Sequence, residues 1–252
     1  MDLNYKLNKI KQFNLFIVNS KSEFEDFSNL KNFQNAFNPL FTYQIFDDDE
    51  KITGYKNLKI LISLTPVNLR PHVKIIYNDT LPIKDDLNLL LKNFYEEYLL
   101  YDENIFLELL EEELNYKIAP IGKKITNFFY NEKVFEVFFS DIKNDACKNQ
   151  SVFLQLLLPF FIEAASVIEI EENFWHYFII YEKNENEHYK LVGFCTLNHF
   201  HRDITQYRSM ISQFIILNPY QRKGLGLKLL EVQFKFLNYL IILKIINFKF
   251  FC

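Results

Sequence analysis

The sequence predicts an α+β fold: a mixed α/β N-terminal region, then a mostly antiparallel sheet with flanking helices. Segments with the composition of β-strands occur in both halves of the chain, and other segments repeat apolar residues at helical spacing. In the second half, the order is one long helix, three strands, a glycine-containing loop and another helix. This order favours an antiparallel sheet that ends in a strand–loop–helix unit.

We expect the first region to cover residues 1–145. Its predicted helix is Asp102–Leu114, where Asp102 precedes a face of apolar residues and is suited to cap the helix. The Asn/Lys-rich stretch Lys143–Gln150 is the expected boundary. The predicted strands are rich in apolar residues and follow turn-prone segments: Lys56–Leu64, His72–Tyr77 and Val134–Ser140.

The second region is expected to cover residues 146–252. A long helix is predicted at Ser151–Val167, and a second helix at Leu225–Leu237 follows the glycine loop. Between them lie three strand-like segments: Trp175–Glu182, Tyr189–Phe200 and Ile211–Leu217.

The composition excludes several classes of protein. A length of 252 residues, with 49% hydrophobic and 24% charged residues, is ordinary for a soluble globular protein. The net charge of −4 argues against direct DNA binding and is compatible with a basic partner. The apolar stretches are interrupted by polar residues, so no membrane association is expected. Three dispersed cysteines and no apparent signal peptide favour a reducing cytosolic or nuclear setting.

The loop Gln221–Gly226 is the motif that carries chemistry. Two glycines around one residue let backbone N–H groups approach an anion, and the following helix adds the positive end of its dipole. A pyrophosphate is therefore a natural ligand, although an ordinary glycine-rich helix start has the same pattern. Neither the Walker pattern nor the three-glycine dinucleotide pattern fits this spacing.

The segment from Ser212 to Glu231 resembles the central motif of the Gcn5-related N-acetyltransferase superfamily. The resemblance implies that superfamily's fold, with its C-terminal part incomplete here, and acetyl-CoA as co-substrate without a metal. It implies that Phe214, Ile215 and Ile216 pair with the pantetheine chain. The implied pyrophosphate-binding residues are consecutive: Gln221, Arg222, Lys223, Gly224, Leu225, Gly226 and Leu227.

Further strings resemble one subfamily, the type B histone acetyltransferases. This resemblance implies acetylation of lysines on newly synthesised histone H4, linked to chromatin assembly and silencing. It also implies a WD-repeat histone-binding partner and residence in the nucleus and the cytoplasm. The strings occur in the family's order: Phe37–Phe46, Asp48–Ile60, Phe161–Ser166, Trp175–Phe178 and Arg208–Gln213.

The resemblance implies two groups of residues that bind the histone H4 N-terminal tail. Carboxylates in the first group would pair with lysine and arginine side chains, although a solvated acidic loop is the alternative. His199 and His201 lack a nearby third ligand, so no metal site is expected. The first group is Asp48, Asp49 and Glu50, and the second is Asn198, His199 and Phe200.

Catalysis requires a base, because a lysine with a pKa near ~10.4 is protonated at neutral pH. The family's principal base is a glutamate in a strand after the glycine-loop helix, and that string is absent here. An ungapped alignment brings Lys249 to its position. Glu163 is the remaining candidate base, with a helix carboxylate beside the site as the alternative.

The Ile/Phe/Lys-rich ending favours a truncated or misassigned C-terminus. Two further functions stay open. One is a catalytically weakened module that binds histone H4 or its chaperone, and the other is an acetyltransferase for another protein or a small amine.

Overall fold

The computed structural model describes residues 6–32, 34–44, 51–87, 100–115, 118–169, 172, 174–203 and 206–249. The described helices are α1 (Lys9–Gln12), α2 (Lys21–Ser28), α3 (Glu103–Asn115), α4 (Asp145–Leu156), α5 (Leu158–Phe161) and α6 (Leu225–Lys249). The described strands are β1 (Lys6–Asn8), β2 (Phe13–Ile17), β3 (Lys51–Thr53), β4 (Tyr55–Lys56), β5 (Lys59–Leu64), β6 (Pro71–Ile76), β7 (Asp79–Thr80), β8 (Lys123–Tyr130), β9 (Lys133–Asp141), β10 (Trp175–Lys183), β11 (Tyr189–Asp203) and β12 (Gln206–Ile216).

The N-terminal region contains a three-stranded sheet in the order β2-β5-β6, in which β2 and β5 are parallel. Strand β5 is apolar along most of its length because both of its faces are covered. On one face Leu61 packs with Phe24 and Phe106 from helices α2 and α3. On the other face Ile60 and Ile62 join the largest core of the molecule. This region is therefore mixed α/β, as predicted.

The second sheet has five strands in the order β12-β11-β10-β9-β8, and every neighbouring pair is antiparallel. The prediction of a mostly antiparallel sheet is confirmed. Strands β8 and β9 precede residue 145, so the sheet crosses the boundary predicted between residues 145 and 146. The two-domain division stays a prediction, and its boundary does not coincide with the edge of a sheet.

Alternation along β10 builds a core on each face of this sheet. Tyr177 and Ile179 point into the core shared with the N-terminal sheet and helices α4 and α5. Phe178 and Ile180 point to the opposite face, where Leu229 of helix α6 packs on them. This alternation is the expected pattern for a strand whose neighbouring side chains face opposite sides.

The prediction of one helix at Ser151–Val167 is wrong in both of its bounds. Helix α4 begins earlier, where Asn144 accepts hydrogen bonds from the amides of Ala146 and Cys147. It ends at Leu156, and Pro159 then lies in the first turn of the short helix α5. Because proline has no N–H to donate, it fits the start of a helix and not its interior. The proposed boundary segment Lys143–Gln150 is thus largely helical.

A buried turn joins the N-terminal region to the five-stranded sheet. The carboxylate of Glu113 accepts hydrogen bonds from the Thr65 hydroxyl at 2.8 Å and the Val67 amide at 2.7 Å. The carbonyl oxygen of Pro66 then accepts from the amide of Leu191 at 2.8 Å, and that of Val67 accepts from the side chain of Gln150 at 3.0 Å. Burial raises the pKa of Glu113, and these donors oppose that effect.

Helix α6 runs to Lys249, beyond the predicted end at Leu237. Within the described ranges, no helix combines the length and apolar character needed to cross a bilayer.

Candidate active site

Strand β12 forms one edge of the five-stranded sheet and carries the predicted pantetheine-binding residues. Phe214, Ile215 and Ile216 pair with Cys195, Phe194 and Gly193 of β11. Among the described residues, no strand pairs with the other side of β12. An edge strand presents unpaired backbone N–H and C=O groups that an extended ligand can use. The edge is therefore suited to bind a chain with amide groups.

A β-bulge interrupts β12 directly before this segment. Cys195 opposes Phe214 and Leu197 opposes Ile211, so Ser212 and Gln213 face Thr196 alone. The hydroxyl of Thr196 accepts a hydrogen bond from the amide of Gln213 at 3.0 Å. A bulge of this kind bends the strand and increases its local twist. Pairing resumes at Phe214, so the bulge divides β12 into two paired segments with different registers.

The loop after β12 is closed by its own side chains. The side-chain amide of Gln221 donates to the carbonyl oxygen of Ile216 at 2.8 Å. The Lys223 ammonium donates to the carbonyl oxygen of Pro219 at 2.7 Å and lies 5.6 Å from the ring centre of Tyr220. Arg222 has a φ of 62°, a conformation that costs an L-residue energy. The loop is thus held in one shape, and its lysine already has partners.

The two glycines of the loop differ in what they permit. Gly224 has a φ of 74°, and no atom lies within 4 Å of an added Cβ. At Gly226, an added Cβ would lie 3.4 Å from side-chain atoms of both Ile216 and Phe214. Gly224 therefore allows the turn, whereas Gly226 lets the first turn of helix α6 lie close to β12.

Three backbone amides at the start of helix α6 precede its first hydrogen bond. The ladder begins with the amide of Lys228, which donates to the carbonyl oxygen of Gly224 at 3.1 Å. The amides of Leu225, Gly226 and Leu227 come before it, as at any helix N-terminus. Leu225 and Gly226 line a recess of about 330 Å³ between the loop and β12. Free amides and the helix dipole make this recess suitable for a phosphate group.

Glu163 lies in a turn after helix α5, so the prediction that it belongs to a helix is wrong. The turn is fixed by three distant side chains. The amide of Ala164 donates to the Tyr43 hydroxyl at 2.8 Å, and Gln44 donates to the carbonyl oxygen of Ala165 at 3.1 Å. Gln213 donates to the carbonyl oxygen of Ser166 at 3.0 Å. Glu163 is exposed, and its turn is attached to the bulge of β12.

Of the two groups of residues predicted to bind the tail, only the second lies among the described residues. Asp48, Asp49 and Glu50 lie outside the described residues. Asn198, His199 and Phe200 belong to β11, opposite Met210, Ser209 and Arg208 of β12. The side-chain oxygen of Asn198 is buried and has no hydrogen-bond partner among the described residues. Their role in binding stays a prediction.

Gln44, Thr196 and Gln213 also build the site and were not predicted from the sequence. Gln44 and Gln213 lie in two of the strings that resemble the family, and this position was the available signal. The two cysteines of the described chain offer no nucleophile: burial raises the pKa of Cys147 to about 11 and that of Cys195 to about 12.

The fold and the loop are those of the Gcn5-related N-acetyltransferase class, and residues 150–237 match the model of the Acetyltransferase (GNAT) family. Residues 6–163 match the model described as "Histone acetyl transferase HAT1 N-terminus". The chain belongs to the family of histone acetyltransferase type B catalytic subunits.

Curated relatives carry the same name. The protein of Candida albicans is 35% identical over 211 residues, which are 75% of this chain and 50% of the relative. The proteins of Mus musculus and Homo sapiens are each 30% identical over 217 residues, or 80% of this chain. These residues are 52% of the mouse protein and 51% of the human one. The chain spans about half the length of the curated relatives it matches.

Proposed function

We propose that this chain transfers the acetyl group of acetyl-CoA to lysine side chains of newly synthesised histone H4, in a pathway linked to chromatin assembly and silencing. One observation carries the proposal: within the described part of the chain, an edge strand with unpaired backbone groups leads through the glycine loop into a helix N-terminus with three free amides. Acetyl-CoA has matching groups in the same order, because the amides of its pantetheine chain are followed by a pyrophosphate. Membership of the family supports the same chemistry.

In this proposal, Phe214, Ile215 and Ile216 hydrogen-bond the pantetheine amides through their backbone. The loop Gln221–Leu227 holds the pyrophosphate through amides and the helix dipole. A backbone N–H of β12 polarises the thioester carbonyl and stabilises the negative charge that develops on its oxygen. The acetyl group then passes directly to the amine, and the sulfur leaves with the electron pair of the broken C–S bond.

The acceptor lysine must first lose a proton, and Glu163 is the proposed base. Its turn is attached through Ser166 and Gln213 to the strand that would hold the thioester. A carboxylate in this position can accept the ammonium proton directly or through one water. Two hydrogen bonds support this role because they fix the turn's backbone: the Tyr43 hydroxyl accepts from the amide of Ala164, and Gln44 donates to the carbonyl oxygen of Ala165.

The basic H4 tail is the proposed acceptor, with Asp48, Asp49 and Glu50 pairing with its cations. Asn198, His199 and Phe200 form the second part of the proposed tail site. Because the sequence resembles this family, we further propose a WD-repeat histone-binding partner and residence in the nucleus and cytoplasm.

A second candidate is a module that binds the H4 tail without acetyl transfer. Among the described residues, no hydrogen bond or ion pair orients the carboxylate of Glu163. A catalytic carboxylate is commonly held by such partners, so this observation favours weakened catalysis.

One assay separates the two candidates. The recombinant chain is incubated with radiolabelled acetyl-CoA and a peptide of the H4 N-terminal tail, and label transfer and peptide affinity are both measured. Transfer to lysine establishes the enzyme. Peptide binding without transfer establishes the module, and an H4 peptide with every lysine replaced by glutamine serves as the control.

A further inference from the structure

A second cavity lies in the N-terminal region, away from the loop of helix α6. It has a volume of about 520 Å³ and is lined by Tyr55, Tyr77, Lys84, Asp85 and Asp86, among other residues. The two rings meet edge to face, with centres 5.3 Å apart and an angle of 68° between their planes. Tyr55 is buried, whereas 47% of Tyr77 is exposed.

Backbone pairing fixes the walls of this cavity. Strand β4 pairs with β7, and the amide of Leu81 donates to the carbonyl oxygen of Gly54 at 2.8 Å. Gly54 has a φ of 88°, and an added Cβ would come within 2.4 Å of the Cβ of Lys84. Only glycine allows the segment that contains Lys84 to approach so closely.

Asp85 is anchored at the base of the cavity. Its carboxylate accepts a hydrogen bond from the amide of Thr53 at 2.7 Å, and its carbonyl oxygen accepts from the Tyr55 hydroxyl at 2.6 Å. The ring of Tyr55 is therefore held by its hydroxyl, and a carboxylate lies beside it. These two hydrogen bonds hold the ring and the carboxylate in place within the protein.

A cation already lies in this cavity. The ammonium nitrogen of Lys84 is 5.8 Å from the centre of the Tyr55 ring, within the range of a cation–π interaction. Two aspartates line the cavity against this one lysine, so the described lining has an excess of negative charge. Aromatic faces beside carboxylates are the chemistry that selects ammonium and guanidinium groups.

We propose that this cavity binds a lysine or arginine side chain of the basic peptide substrate, and that the Lys84 ammonium occupies it in the absence of peptide. The inference rests on the proposed function for the source of the cation. The cavity-lining residue Tyr55 follows Glu50 by five residues, so the cavity lies next in the sequence to the acidic segment Asp48–Glu50.

The first test measures the affinity of the full chain for an H4 tail peptide by calorimetry. Tyr77→Leu removes an aromatic face, and we expect the Kd to rise roughly 3- to 30-fold. Tyr77→Phe keeps the ring and should stay within about 2-fold of the wild type. The affinity for acetyl-CoA should be equal in all three proteins. Equal peptide affinities for the leucine and phenylalanine variants would overturn the proposal.

The second test removes the competing cation. Lys84→Met should lower the peptide Kd more than Lys56→Met, an exposed lysine on β4 that has the same charge but does not line the cavity. Equal changes in the peptide Kd for the two variants would show that only net charge matters, and would contradict the proposal that Lys84 occupies the site.

The third test does not depend on histone H4. Tetramethylammonium is titrated into the Lys84→Met variant while the tyrosine signals are followed by NMR. Saturable shifts that vanish in Lys84→Met/Tyr77→Leu establish the cation site even if H4 is not the acceptor. Absence of saturable shifts would overturn the cation site and leave the acetyltransferase proposal untouched.

Discussion

The side-chain amide of Gln213 donates a hydrogen bond to the carbonyl oxygen of Ser166 across 3.0 Å. Gln213 lies in the bulge of β12, and Ser166 lies three residues after the proposed base Glu163. This single bond ties the strand proposed to hold the thioester to the turn proposed to hold the base. In the proposed mechanism, the position of Glu163 relative to the thioester therefore depends in part on Gln213, which has no proposed catalytic role.

Gln213→Leu should destabilise the protein and disturb this attachment. The side chain is buried, and its loss leaves the carbonyl oxygen of Ser166 without its partner. We expect the free energy of unfolding to fall by about 1–3 kcal/mol, measured by urea denaturation. Thr196→Val removes a different bond of the same bulge and serves as comparison, since it leaves Ser166 paired. An unchanged denaturation midpoint for Gln213→Leu would contradict the prediction.

Glu163→Gln tests the proposed base. We expect kcat with an H4 tail peptide to fall roughly 10²- to 10⁴-fold, because the amide cannot accept the ammonium proton. The Kd for acetyl-CoA should not change. Glu169→Gln, an exposed carboxylate in the following segment, provides the matched control. Turnover that is equal in both variants would remove Glu163 from the mechanism.

Gly226→Val tests the recess beside β12. An added Cβ at this position would already contact Ile216 and Phe214. The two further methyl groups of valine must then push the helix away from the strand. Because each lost charge-assisted hydrogen bond costs about 1.5–3 kcal/mol, we expect the Kd for acetyl-CoA to rise at least roughly tenfold by calorimetry. Glu231→Ala, one turn further along the helix, should bind normally. Normal acetyl-CoA binding by Gly226→Val would place the pyrophosphate elsewhere.

The burial of His72 leads us to expect a loss of stability in acid. It is buried between the rings of Phe24 and Phe106, and burial lowers its pKa from 6.5 to about 4. Since the unfolded chain takes up the proton first, stability falls as the pH drops from about 6.5 to about 4. The full loss is about 3 kcal/mol. Urea denaturation at a series of pH values measures it, and His72→Leu should flatten the profile between these limits.

The sequence predicted strands β9 to β12 of the second sheet because their apolar runs are bounded by clear turn signals, whereas β8 (Lys123–Tyr130), which mixes lysines with apolar residues, was not predicted. Asp102 also caps its helix as expected, since it accepts from the amides of Asn104 and Ile105. The end of helix α4 was missed because Leu154–Ile162 has helical spacing and the effect of Pro159 depends on which turn it occupies. Where the first helix ends is therefore set by tertiary packing and cannot be read from the local pattern of apolar residues.

The loop of the candidate site was predictable because glycine spacing before a helix reflects a local backbone requirement. The attachments of Glu163 were not. Tyr43 and Gln44 lie 121 residues from their partners, and no local rule connects them. The same holds for the pair Tyr55 and Tyr77, which meet only because β4 and β7 pair.

The sheet that continues across residue 145 has a practical consequence for dissecting this protein. A recombinant fragment of residues 146–252 would lack β8 and β9, and β10 would then expose the backbone groups that β9 now satisfies. Strands of this apolar composition with a bare edge associate with other copies, so we expect such a fragment to aggregate in expression trials. A fragment that keeps the five-stranded sheet would have to begin before Lys123, well before residue 150, where the match to the Acetyltransferase (GNAT) family begins.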